Sequence, residues 1–283
     1  MVDLTIRNGD VALAATLSGP AGAPAVLFLH GLSASRDTWA AAMTRLSDRY
    51  RTLAVDFRGH GHSDRASSYV LEDYVGDAVA ALEFLATPSV VVGHSLGAVT
   101  AGVLGQREGG GRVTGVLLED PPWYLGEKTE WDKGIYQTIF PMIRDKQVAL
   151  QAADAPFGDY LEFVSSAPSM AGGTAADHHD QNELESFASS LQRHDPACWE
   201  SALDLSIFAT LDSAAPIGCP ALVLQADANL GPALMPGHDQ RFQDTNPNAE
   251  IVLHDGAGHR IHSDNDHQER VLDQVEHFVA SIA

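Results

Sequence analysis

Apolar and polar residues alternate over positions 2–7 and again over 11–17, with Asn8-Gly9-Asp10 between the two runs. Such alternation gives a strand with one buried face, and an Asn-Gly pair between two strands marks a tight hairpin. After Gly19-Pro20 the pattern changes. "AVLFLH" (25–30) is almost wholly apolar, as a strand covered on both faces must be. "SRDTWAAAMTRLSDR" (35–49) then has helical spacing, with Ser35 placed to cap it. The succession continues with a strand at 52–57, the glycine-rich turn "RGHGHSD", a helix over 72–86, a strand at 89–94, a helix over 96–107 and a strand at 113–120. Strands separated by helices predict an α/β fold, a mostly parallel sheet with helices on both faces.

From Pro121 to Pro216 this succession stops, and Trp123, Tyr124, Trp131, Tyr136, Phe140, Phe157, Tyr160 and Phe163 appear in mainly helical patterns. It resumes with a strand at 221–226, a helix near 237–245, a strand at 250–255 and a C-terminal helix over 265–282. The expected organisation is one core, residues 1–120 and 217–283, interrupted by a helical cap (lid) insertion, 121–216. No internal repeat is found.

Charge narrows the partners. The chain of 283 residues carries a formal net charge of −21, so nucleic acid and anionic membrane surfaces would be repelled, and a small-molecule substrate is the expected partner. Two cysteines, Cys198 and Cys219, make no disulfide framework and fit a reducing compartment. The N-terminal stretch has no signal-peptide pattern, and no apolar run reaches the ~18–20 residues of a membrane span. A soluble, cytoplasmic protein is expected; oligomeric state is left open.

The strongest chemical signal is "VVVGHSLGAV" (90–99), in which Gly93-His94-Ser95-Leu96-Gly97 fits G-x-S-x-G between a buried strand and a helix. A serine on that sharp turn is a nucleophile, and the flanking glycines keep side chains out of the close approach of strand and helix. Its base is expected in "DGAGHRIHSD", where His259 follows the last strand; His262 is the competitor, read as a polar residue on the next turn. The Leu96 N–H at the start of the helix and the Leu32 N–H in the loop after "AVLFLHG" are the expected oxyanion donors. His30 is read as structural. "DHHD" (177–180) and "HRIH" (259–262) hold metal-ligand residue types, but neither has a second half at zinc-like spacing. The first is read as a solvated loop, and no metal or cofactor is expected.

With "HGL" at 30–32, "DFRGHGHSD" at 56–64, "GHSLG" at 93–97 and "GAGH" at 256–259, in this order, the chain resembles the α/β-hydrolase family over nearly its whole length outside the insertion. The resemblance implies a serine hydrolase with a helical cap, a carboxylesterase or lactonase acting through an acyl-enzyme on Ser95. It also implies that "DFRGHGHSD" is a structural turn beside the site. In that family the acid commonly follows the strand "ALVLQA", but counting onward reaches Asn229, and Asp227 sits too early. A minority of the family takes the acid from the strand after the nucleophile helix. Here that strand ends in Asp120 before Pro121-Pro122, which must leave the sheet, so Asp120 is the expected acid, ahead of Asp227 and Glu119. The substrate expected is an uncharged, fairly apolar ester or lactone, with Trp123 and Tyr124 as candidate contacts. The alternatives are a carbon–carbon hydrolase, a cofactor-free perhydrolase (a subgroup that usually has methionine where this chain has Leu96) and a non-catalytic ligand receptor.

Overall fold

The N-terminal alternation folds as a hairpin: β1 (Val2–Asn8) runs antiparallel to β2 (Val11–Ser18), with Asn8 opposite Val11 across Gly9-Asp10. In the computed structural model, which describes residues 1–282, this hairpin edges an eight-stranded sheet. The other strands are β3 (Ala25–Leu29), β4 (Arg51–Val55), β5 (Ser89–His94), β6 (Val113–Glu119), β7 (Ala221–Ala226) and β8 (Glu250–His254). Their order is β1-β2-β4-β3-β5-β6-β7-β8, antiparallel at β1/β2 and β2/β4 and parallel from β4 onward.

The uninterrupted apolar runs are central strands covered on both faces. Leu27, Leu29, Val55 and Val91 pack on one side of the sheet, while Val26, Phe28, Ala54 and Val92 pack on the other. Each fully buried valine, leucine or phenylalanine among them contributes on the order of 1.5–3 kcal/mol, which makes the sheet a rigid platform. Helix α1 (Ala40–Leu46) and helix α10 (Gln268–Ile282) cover one face; α2 (Leu71–Leu85) and α3 (Leu96–Glu108) cover the other.

The helix expected over 35–49 is shorter and begins as a 3-10 turn, Arg36–Trp39. Ser35 does not cap it. The buried Asp56 carboxylate accepts the Arg36 N–H at 2.7 Å from across the chain, and the Ser35 hydroxyl instead accepts from Ser190 at 2.8 Å. A long-range carboxylate thus displaces the local cap.

Between β6 and β7 lie five helices: α4 (Lys128–Trp131), α5 (Tyr136–Ala152), α6 (Phe157–Ser165), α7 (Gln181–Arg193) and α8 (Ala197–Leu203). They have an apolar core of their own, including Leu150, Tyr160, Val164, Leu184 and Trp199. Helix α9 (His238–Thr245) precedes β8. No helix among the described residues is long and apolar enough to cross a membrane.

Candidate active site

Ser95 sits where β5 turns into α3, at φ 53° and ψ −114°, a conformation costly for any residue with a Cβ. The turn is possible because its flanks are bare. A Cβ on Gly93 would collide with the Gly97 carbonyl, and one on Gly97 with the Leu29 carbonyl. The motif is therefore a steric requirement of this crossing, and it leaves Ser95 facing a cavity of about 290 Å³.

His259, in the loop after β8, lines the same cavity. Its Nδ1 lies 2.6 Å from Asp120 Oδ2. A carboxylate can only accept, so Nδ1 carries the hydrogen and Nε2 is left with its lone pair. Asp120 stands just beyond β6 at φ 39°, with its carboxylate fully buried. The strained exit before the two prolines turns that carboxylate toward the backbone N–H groups of Ala233, 2.7 Å from Oδ2, and Leu234, 3.1 Å from Oδ1. With His259 Nδ1, these donors occupy both oxygens of the buried carboxylate. The His259 bonds run from its side chain to Asp120 and from its carbonyl to His94; none among the described residues joins it to Ser95, as is common before substrate closes a site.

The competing carboxylates have other partners. Asp227 accepts from the Asn229 N–H at 2.8 Å and the Gly256 N–H at 2.9 Å, which ties two loops together and lowers its pKa. Glu119, buried one residue before Asp120, accepts from His262 at both the backbone N–H, 2.9 Å, and Nδ1, 2.8 Å. His262 does stand on the turn after His259, a 3-10 turn over Ile261–Ser263, where it is buried, stacked on Trp39 with ring centroids 4.7 Å apart and 2.5 Å from the Thr38 hydroxyl. Replacing His262 by Ala leaves Glu119 a buried carboxylate without its side-chain partner. The unfolding free energy falls by about 3–5 kcal/mol, read from denaturant titration; an unchanged midpoint would show that the pair carries no stability.

Leu32, Leu96 and Ser95 meet at a second, apolar cavity of about 30 Å³, so both expected oxyanion donors lie beside the serine. Trp123 and Tyr124 do not reach either cavity. After the prolines the chain folds back, and Trp123 packs edge-on to Phe242 at 5.5 Å while Tyr124 lies under the Arg241 guanidinium at 4.0 Å. Both are core residues, and the expectation of substrate contact is corrected. The rings at the large cavity are instead Tyr136, Phe140, Phe187 and Trp199, all from α5, α7 and α8. "DHHD" is corrected too. His178 and His179 line the cavity, and His179 Nδ1 bonds the Ser263 carbonyl at 2.6 Å.

His94, the second residue of the motif, is a site residue that sequence reasoning left without a role. Its Nε2 donates to the His259 carbonyl at 3.0 Å, tying the serine turn to the base's loop. Burial, reinforced by the neighbouring His259, pushes its pKa well down, so it stays a neutral strut. Arg260 is the cavity's arginine, and its guanidinium is 3.5 Å from Glu183 and 4.5 Å over the Phe187 ring. His30 is buried, donating from Nδ1 to the Gly31 carbonyl at 2.8 Å and accepting the Phe57 N–H at 3.0 Å; burial lowers its pKa to about 4.

A model described as the alpha/beta hydrolase family matches residues 26–274. Over 77 residues, 26% of the chain, the sequence is 44% identical to a 2-(acetamidomethylene)succinate hydrolase of Mesorhizobium japonicum, covering 28% of that protein. Over 163 residues, 55% of the chain, it is 32% identical to a non-heme chloroperoxidase of Streptomyces lividans, covering 59% of it. These matches span less than two thirds of either relative's length. The crystal structure of E-2-(acetamidomethylene)succinate hydrolase superposes with a TM-score of 0.73 over 99% of both chains at 21% identity, a likeness of fold.

Proposed function

The chain belongs to the alpha/beta hydrolase family, and from that premise we propose that it is a serine hydrolase cleaving an uncharged, fairly apolar ester or lactone, with the helices between β6 and β7 as its cap. The observation that carries this reading is the 2.6 Å contact between Asp120 and His259 at the wall of the cavity that Ser95 faces.

In the proposed reaction His259 Nε2 takes the Ser95 proton as Oγ attacks the substrate carbonyl. The resulting oxyanion is held by the Leu32 and Leu96 N–H groups. The imidazolium, stabilised by Asp120, returns the proton to the leaving alkoxide, and an ester of Ser95 remains. Water then repeats the sequence: His259 removes its proton, the acyl carbon is attacked, and the proton passes back to Oγ as the acid departs. Asp120 stays ionised throughout.

The uncharged, apolar character of the substrate rests on the lining. Most of the exposed cavity wall is apolar, with Ile135, Ile139, Ile143, Phe140 and Phe187 on it beside histidines and Asp264, and the Arg260 charge is already opposed by Glu183. The likeness to a chloroperoxidase supports a second reading on the same residues, peracid formation when hydrogen peroxide takes the place of water. The test is a panel of p-nitrophenyl esters, lactones and vinylogous diketones, with and without hydrogen peroxide. Turnover of the esters or lactones supports the proposal. Turnover of the diketones alone favours carbon–carbon cleavage, and no turnover of any of them favours a ligand receptor.

A further inference from the structure

Away from Ser95, His60, His194 and Cys198 meet where the loop after β4 packs against the inserted helices. All three are fully buried, and their Nε2, Nδ1 or Sγ ligand atoms lie within 4.8 Å of one another. His60 belongs to "DFRGHGHSD", His194 follows α7, and Cys198 is in the first turn of α8. The Asp195 N–H donates to the Gly59 carbonyl at 2.8 Å, which holds the two segments together.

The hydrogen bonds around the two rings decide where their lone pairs point. His60 Nδ1 is 2.8 Å from the Arg58 carbonyl, an acceptor only, so Nδ1 carries the hydrogen and Nε2 is bare. The Trp199 indole N–H, a donor only, points at Gln147 Oε1 from 2.7 Å and fixes that amide's orientation. The same oxygen is 3.3 Å from His194 Nδ1, so this ring too donates from Nδ1 and keeps a bare Nε2. Neither Nε2 has a hydrogen-bond partner among the described residues, although both are buried and the ring centroids are 4.5 Å apart. Two buried acceptors without a partner, on rings that cluster with a sulfur, are groups that a ligand would satisfy. The Tyr74 ring packs edge-on to His60 at 6.1 Å between centroids, and its hydroxyl lies against the Cys198 thiol, which itself reaches the Gly59 carbonyl at 4.0 Å.

We propose that His60, His194 and Cys198 form a structural site for one d10 cation, Zn²⁺ or Cu⁺, that pins the inserted helices to the core. Two neutral imidazoles and a thiolate suit either ion. The carbonyl and amide oxygens behind the Nδ1 atoms do what such groups do at known metal sites, fixing tautomer and ring orientation. Binding replaces the Cys198 thiol proton, which leaves to solvent, by a sulfur–metal bond; no oxidant or reductant is needed. Tyr74, beside the sulfur, is the group placed to hold a fourth, water ligand, which Zn²⁺ takes and Cu⁺ omits.

The test uses the full chain with no activity readout. Protein purified without chelator is analysed for metals, and chelated protein is titrated with Zn²⁺, Cu⁺ and Co²⁺. The expected results are close to one equivalent of bound metal, a higher thermal midpoint with Zn²⁺ or Cu⁺, and a thiolate-to-cobalt charge-transfer band with Co²⁺. The band is expected to disappear in Cys198→Ser and to persist in His178→Gln. The wild-type band needs no variant to fold, so it stands alone if Cys198→Ser is insoluble. Less than a tenth of an equivalent of bound metal, with no band and no thermal shift, overturns the proposal, and the lone pairs are then met by the Tyr74 and Cys198 hydrogens. A band that survives in Cys198→Ser places the metal elsewhere and overturns it equally.

Discussion

Ser95→Ala lowers ester turnover by about 10⁴–10⁶-fold and leaves the fold intact. The size follows from what the hydroxyl does: without it no acyl-enzyme forms, and only the oxyanion donors and binding remain to help water attack. The fold persists because alanine keeps the Cβ that the turn at φ 53° already accommodates, and only a hydroxyl facing the cavity is lost. Circular dichroism and the thermal midpoint check the fold, and steady-state kinetics on one p-nitrophenyl ester check the rate. More than a tenth of wild-type activity in a folded variant removes Ser95 from the mechanism.

Asp120→Asn costs about 10²–10⁴-fold in rate, with Asp227→Asn and Glu119→Gln each far milder on the same ester. An asparagine at 120 whose oxygen keeps the Leu234 N–H places its NH₂ where Oδ2 stands, against both the Ala233 N–H and His259. Its NH₂ then faces His259 Nδ1, favours the tautomer with hydrogen on Nε2, and blocks the lone pair that Ser95 needs. Asp227 lacks this leverage, since its carboxylate serves the Asn229 and Gly256 N–H groups. Glu119→Gln weakens the buried contact to His262, so its effect appears in stability before rate. A crippled Asp227→Asn beside an active Asp120→Asn would assign the acid to the loop after β7.

Residues whose meaning is local were legible in the sequence. The steric demand at Ser95 is written in Gly93 and Gly97, and the exit of β6 in Pro121-Pro122, so the turn and the direction of Asp120 follow from neighbours along the chain. The alternation of apolar runs likewise fixed the order of strands and helices. Trp123 and Tyr124 were misjudged because nearness to Asp120 in sequence says nothing about where the chain goes after two prolines. Of the rings that line the cavity, Phe187 and Trp199 come from α7 and α8, whose packing no spacing reports. The same holds for Arg36, whose helix start is set by Asp56, and for His60, which meets His194 and Cys198 only through the fold. His94 carries no separate signal, since the second position of the motif accepts any residue.

The central claim is that Ser95 becomes covalently acylated, and peptide mass mapping after treatment with a fluorophosphonate tests it most directly. The account predicts one stoichiometric phosphonyl adduct, on the peptide containing Ser95, absent in Ser95→Ala and strongly slowed in His259→Ala. An unlabelled wild-type chain, or an adduct on any other serine with Ser95 unmodified, would contradict it.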